Sequence, residues 1–293
     1  MKPPSFKYFA ARSVEEAVSL LAEHGDDARV LAGGQSLIQD LNARRTKPRA
    51  LIDVNPIQDL AFAQTGNGTL ALGALTRTAA VERDAEITGR LPMLAEAAAR
   101  VGHVAVRNRG TVGGNVAHAD PASNLPPVML TLDAEFTVQS DAGERTIAAG
   151  DFFQGPHQTA VGPTELLTGI RISSLPVNAG SAFVEISRRD RGWGLCGVAA
   201  LVTLGDDGLV SDARLGLSGV GPTAVRARAA EDAIRGKEPT EQTWATAAGV
   251  AVRALEDPPS DIHASAGYRR HLADVLTRRA LVAAAERAER SQR

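Results

Sequence analysis

Two short stretches of the chain carry residue types suited to binding an anion. Ala32-Gly33-Gly34-Gln35-Ser36 follows the apolar run Val30-Leu31-Ala32 and precedes Leu37, Ile38 and Leu41, so it reads as a strand entering a tight turn ahead of a short helix. Glycines let backbone N–H groups converge there, and a helix start favours negative charge, so a phosphate fits the turn. Paired glycines also make ligand-free tight turns, and five residues alone do not separate the two readings. Thr111-Val112-Gly113-Gly114-Asn115 offers the same chemistry, with a hydroxyl in front and a side-chain amide behind. Two such turns facing each other would grip a diphosphate, which carries the residues as far as a dinucleotide-phosphate site without saying which dinucleotide.

Other chemistries fail on spacing. Gly34-Gln35-Ser36-Leu37-Ile38 lacks the second glycine of a nucleophile elbow, so Ser36 reads as a turn or helix-cap hydroxyl. Gly219-Val220-Gly221-Pro222 lacks the third glycine of a Rossmann fingerprint and reads as a turn. His118 and Asp120 are two ligands, too few for a closed zinc site, and His118 is expected to be a hydrogen-bonded loop histidine beside a cofactor. Arg107 and Arg109 are either phosphate partners or charges flanking a turn, and at least one is expected to be structural. The single cysteine, Cys196, rules out an intrachain disulfide, a Cys-rich zinc site and an iron–sulfur cluster held by this chain alone. No metal and no acid–base catalytic residue are expected.

The elements that must position these turns follow from pattern. At 293 residues, 44% hydrophobic and 23% charged, the chain has material for two or three domains with a sizeable core. A net charge of −2 provides no global field for nucleic acid or an anionic membrane. Met1-Lys2-Pro3-Pro4-Ser5-Phe6 lacks the apolar core of a secretion signal, and no run of about 18 apolar residues spans a bilayer, so a cytoplasmic protein is expected. Ser13-Val14-Glu15-Glu16 is a capping box opening a helix that stops at Gly25. Ala50 to Val54 reads as a second strand, Gly66-Asn67-Gly68 as a hairpin turn, and Met93 to Val101 as a helix. Arg107 to Asn115 is Gly-rich and polar and is expected to turn sharply. Pro126 and Pro127 precede a helical Val128–Leu132, and Phe136–Val138 and Leu167–Ile172 read as strands. Pro176 to Gly180 marks a boundary, beyond which come an antiparallel hairpin (Val198–Leu204, Ala213–Ser218) and two helices, from about Ala224 to Ile234 and from about Tyr268 onward. The expected domains are 1–57, 58–176 and 177–293.

Val30 to Val54, Val101 to Leu132, Ser187-Arg188-Arg189 and Gly197-Val198-Ala199-Ala200 together resemble, in the same order, the FAD-binding medium subunit of the molybdenum hydroxylases, typified by the carbon monoxide dehydrogenase medium subunit and the xanthine dehydrogenase FAD domain. The resemblance covers nearly the whole chain. It implies an α+β fold of the vanillyl-alcohol-oxidase type, with two α/β FAD subdomains and a C-terminal antiparallel sheet with helices. It implies FAD on this chain, with Ala32, Gly33, Gly34, Gln35 and Ser36 as the first diphosphate loop and Thr111, Val112, Gly113, Gly114 and Asn115 as the second. Val30, Val101 and Gly102 would line the flavin crevice. Asn124 stands where many relatives carry Asp, which keeps an acceptor but loses the charge. Gly192-Trp193 replaces the usual Asp-Tyr, so Trp193 either stacks on the isoalloxazine ring or simply packs.

The resemblance also implies partners: a large subunit with the molybdopterin cofactor that oxidises the substrate and a small subunit with two 2Fe–2S clusters. FAD would pass the electrons to an external acceptor such as quinone, NAD or oxygen, in a dimer of heterotrimers. Carbon monoxide, an N-heterocycle and an aldehyde remain open as substrates. The alternatives are a flavin-free nucleotide-binding or assembly scaffold, which would purify colourless, and an autonomous FAD oxidase of related fold, which would need a substrate-side acid or base.

Overall fold

The computed structural model describes residues 2–291; Met1, which opens the segment read for a leader, and the last two residues of the third expected domain lie outside them. The first unit holds β1 (Lys7–Ala10), α1 (Val14–His24), β2 (Ala28–Leu31), α2 (Leu37–Ala43) and β3 (Ala50–Asp53), with the strands parallel in the order β1-β3-β2. Ser13 caps α1 by accepting from the Glu16 amide at 3.1 Å, while Glu16 reaches back to the Arg12 amide, one residue earlier than a capping box requires. Ala17, Val18 and Leu21 bury the inner face of α1 against Ile52 and Val54.

The second unit runs through β4 (Ala63–Gly66), β5 (Thr69–Gly73), α3 (Thr78–Arg83), α4 (Ala85–Arg90), α5 (Pro92–Arg100), α6 (Val104–Arg109), α7 (Val112–His118), α8 (Leu125–Thr131), β6 (Glu135–Ser140), β7 (Gly143–Ala148), α9 (Ala149–Phe152), β8 (Phe153–Gly155), β9 (Gln158–Thr159) and β10 (Leu166–Ser173). Its five-stranded antiparallel sheet has the order β4-β5-β10-β6-β7. Asn67 and Gly68 both have positive φ, as a two-residue hairpin turn on twisted strands requires. The segment Arg107–Asn115, expected to turn sharply, leaves helical backbone only at Gly110 and Thr111, and the rest of it belongs to α6 and α7. Thr111 supplies the cap that restarts the helix, so the two glycines are carried inside helical backbone rather than in a loop.

The third unit comprises β11 (Ala179–Ser187), β12 (Gly194–Leu204), β13 (Val210–Ser218), β14 (Val225–Arg226), α10 (Arg228–Ile234), α11 (Glu241–Arg253) and α12 (Ala266–Ser291), with an antiparallel sheet β11-β12-β13-β14. Val225 and Arg226 pair with Leu217 and Gly216, which delays the first expected helix to Arg228. Three helices, not two, close this unit among the described residues. The additional one, α11, buries Trp244, Ala247, Ala248 and Ala251, an apolar face made mostly of alanine. Every residue of β12 is buried: Cys196, Val198, Ala200, Val202 and Leu204 face the helices, whereas Ala199 and Leu201 face the core of the second unit. Among the described residues no helix is long and apolar enough to cross a membrane.

Candidate cofactor site

The first glycine turn joins β2 to α2. Gly34 has φ +72°, a conformation that glycine adopts without strain. Among the described residues the amides of Gly33, Gly34, Gln35 and Ser36 donate to no acceptor, and Ser36 precedes α2 without making a side-chain cap bond. Four successive donors are therefore uncommitted, which is the arrangement an anion completes. The Gln35 side chain closes the turn by donating to the Gly33 carbonyl at 3.1 Å.

The second turn is wired differently. Val112 donates to Thr76 O at 2.9 Å, Gly113 to Ala74 O at 3.0 Å, Gly114 to Thr111 Oγ1 at 3.0 Å and Asn115 to Thr111 O at 3.0 Å. Gly113 lies so close to Ala74 that a Cβ there would sit 2.6 Å from the Ala74 carbonyl oxygen. Asn115 Oδ1 accepts from Ser123 Oγ at 2.8 Å, which leaves the amide nitrogen of that side chain as a donor. The fold brings the turns together: a Cβ on Gly33 would collide with the Arg109 carbonyl and lie 2.8 Å from Gly110 Cα, and Gly114 approaches Ala32.

A polar strap behind the turns holds this contact, and sequence reasoning missed it. Asn55 Nδ2 donates to Ala32 O at 2.8 Å and to Asp53 Oδ1 at 2.7 Å. Arg77 donates to Asn55 Oδ1 at 2.9 Å and to the Arg109 carbonyl at 2.6 Å. Asp53 also accepts from the Tyr8 hydroxyl at 2.6 Å. Burial works against the Asp53 charge, but the bonds from Tyr8 and Asn55 and the positive Arg109 together hold its pKa below the usual carboxylate value. Asn55 and Arg77 lie 22 residues apart, and no local pattern joins them. Arg107 is the structural arginine: its buried guanidinium binds Glu82 through two bonds of 2.7 and 3.1 Å and holds the Gly102 carbonyl at 2.5 Å. Arg109 contributes its carbonyl to the strap and keeps an exposed side chain.

Of the other expected site residues, Val30 is the penultimate residue of β2, just before the first turn, and Val101 and Gly102 follow α5, with Gly102 at φ +52°. Asn124 is buried just before α8 and lies beside Glu185 on β11. Glu185 is 8% exposed, and neither of its oxygens reaches a well-formed hydrogen bond. Burial pushes its pKa up to about 7 against the pull of Arg100 and the Asn124 amide, with Asp190 adding to the rise. Trp193 is 66% exposed on the segment between β11 and β12, so it is not a core residue. His118 ends α7, where burial and the neighbouring His157 lower its pKa despite Asp120 and Asp40.

A candidate nucleotide site made from paired glycine turns, followed along the chain by a C-terminal antiparallel sheet, defines a class. Residues 4–174 match the FAD binding domain in molybdopterin dehydrogenase, and residues 181–284 match the CO dehydrogenase flavoprotein C-terminal domain. The chain belongs to this family, as an FAD-binding medium subunit of an oxidoreductase. It is 43% identical to the 6-hydroxypseudooxynicotine dehydrogenase complex subunit alpha of Paenarthrobacter nicotinovorans, over 98% of this chain and 97% of the relative. Its identity to the caffeine dehydrogenase subunit beta of a Pseudomonas species is 36%, over 98% of this chain and 97% of that one. The carbon monoxide dehydrogenase of Hydrogenophaga pseudoflava lacking the Mo-pyranopterin moiety superposes with a TM-score of 0.95 at 37% identity, covering 98% of this chain and 99% of that chain. The expected α+β fold and FAD on this chain agree with these likenesses.

Proposed function

We propose that this chain is an electron-transfer station in a molybdenum hydroxylase-type dehydrogenase. It receives electrons from 2Fe–2S clusters on a small partner subunit, downstream of a large molybdopterin subunit, and delivers them to an external acceptor, in a cytoplasmic dimer of heterotrimers. The observation that carries the site assignment is the row of four uncommitted amides from Gly33 to Ser36, abutted by Arg109, Gly110 and Gly114 at the second turn. These amides and the half-buried Arg77 charge suit the two negative charges of a diphosphate. Bound FAD supplies the exchange of electrons singly or in pairs, while the protein supplies binding, orientation and electrostatics.

The residues divide that task. Ala32 to Ser36 hold the phosphates through backbone donors. Thr111 to Asn115 set the opposite wall and offer the Asn115 amide. Val30, Val101 and Gly102 line the crevice, Asn124 accepts from cofactor hydroxyls, and Trp193 covers the ring and limits access to it. No side chain here is assigned proton abstraction, because electron transfer requires placement.

The test is titration of the flavin-depleted full chain with FAD, followed by absorbance and fluorescence, with ADP and riboflavin as competitors. The expected result is one FAD per chain, displaced by ADP far better than by riboflavin, with affinity reduced about tenfold or more in Gly34→Val. Riboflavin competing as well as ADP would move the grip away from the diphosphate. A chain that binds no FAD would favour the scaffold reading. In the assembled complex, flavin bleaching that follows cluster reduction supports the relay, and flavin that bleaches while the clusters remain oxidised refutes it.

A further inference from the structure

The far end of α7 from the second turn carries a second constellation. His118 ends the helix, Asp120 follows across Ala119, and His157 stands on the turn between β8 and β9. One ligand atom from each lies within 4.8 Å of the other two. Sequence reading paired only His118 with Asp120, because His157 is 39 residues from His118 and joins them only through the fold.

The backbone holds this trio together. The His157 amide donates to Ala119 O at 3.0 Å, and His157 Nδ1 lies 3.1 Å from the His118 carbonyl. That contact is a hydrogen bond only with the proton on Nδ1, which leaves Nε2 as a free lone pair, the arrangement common to metal-binding imidazoles. Asp120 Oδ1 accepts from the Ala122 amide at 2.8 Å, so the second carboxylate oxygen is the available one. The rings of His118 and His157 are 4.7 Å apart, and Asp40 and Arg45 are the other charges facing His118. Two neutral imidazoles and a carboxylate oxygen that face one another at this range present three lone pairs that one cation can share.

We propose that His118, Asp120 and His157 bind a late first-row divalent cation of the zinc class, with water completing the coordination. Two imidazoles and one carboxylate suit zinc, nickel or copper rather than magnesium or calcium, which prefer all-oxygen sets. Bonds of about 2.0–2.1 Å in a tetrahedron place donors about 3.4 Å apart, so the side chains close by roughly 1 Å on binding. His157 is exposed and free to make that movement. The cation would tie α7 to the β8–β9 hairpin, about 10 Å along the helix from Thr111.

The experiment is equilibrium dialysis of the chelator-treated full chain against Zn2+, with Co2+ visible absorption as a reporter of tetrahedral geometry. The expected result is one site per chain in the micromolar range or tighter, indifferent to excess Mg2+. Affinity is expected to fall about tenfold or more in His118→Ala and in His157→Ala, while His271→Ala binds as the parent does. A thermal melt of each variant separates lost binding from lost folding, and the exposed His157→Ala is the decisive one. No stoichiometric binding, or binding that His157→Ala leaves intact, overturns the proposal. The outcome is independent of whether FAD is bound.

Discussion

In Ala32–Ser36 the amides of four successive residues have no partner among the described residues, whereas in Thr111–Asn115 each amide from Val112 to Asn115 is already bonded to Thr76, Ala74 or Thr111. The glycines follow the same division. Gly34 supplies a positive φ, while Gly113 permits contact with the Ala74 backbone. Similar pentapeptides therefore do different work: the first presents donors, and the second builds a wall that presses against it. Accounting for each backbone N–H separates the two roles where glycine content does not.

The comparison breaks most visibly at the arginines leading into the second turn. Arg107→Ala leaves the Glu82 carboxylate without its partner and is expected to cost about 3–5 kcal/mol in chemical denaturation, while Arg109→Ala stays within about 0.5 kcal/mol. Equal losses would mean that the Arg109 side chain, and not only its carbonyl, supports the turn.

The ground behind the second turn also titrates. Ser123 holds Asn115, and its neighbour Asn124 lies beside Glu185, whose pKa rises from 4.5 to about 7. Between those values the native state keeps a proton that the unfolded chain has released, so this group's contribution to stability falls as pH rises through that window. Glu185→Gln is expected to stabilise the chain above pH 7 by at most about 3 kcal/mol, with the gain fading towards pH 4.5. Melting curves that shift equally at all pH values would assign the effect to packing instead.

Smaller changes sharpen the division of labour. Gly113→Ala places a methyl against the Ala74 backbone and is expected to cost about 1–3 kcal/mol, measurable as a lowered Tm without FAD. Thr111→Val removes the acceptor for Gly114 and costs about 1 kcal/mol, whereas Ser36→Ala, which loses no cap bond, changes stability by only a few tenths. Urea titrations of the last two variants side by side give the cleanest reading, and equal slopes with equal midpoints would erase the distinction between the turns.

Much of this arrangement was legible in the residues. The Ser13 helix cap, the Asn67-Gly68 hairpin and the first glycine turn are local signals, and each lies where its pattern implied. The miss at Arg107–Asn115 came from glycine propensity, which tertiary contact overrode: Gly113 is needed for close approach to Ala74, and the Thr111 cap restarts the helix. The Asn55–Arg77 strap and His157 were invisible because their partners lie 22 and 39 residues away, brought near only by the sheets. α11 was missed because its apolar face is largely alanine, which gives a weak periodic signal.

The strand β12 contributes one set of side chains to the helical layer and the alternate set to the core beneath the cofactor site. Peeling the C-terminal unit away would strip apolar cover from both at once. Neither half therefore behaves as a detachable module, although the family descriptions divide the chain into two. Thermal unfolding of the whole chain is accordingly expected as one cooperative transition, and a fragment ending before β11 would leave the flavin-bearing half with an open, aggregation-prone face.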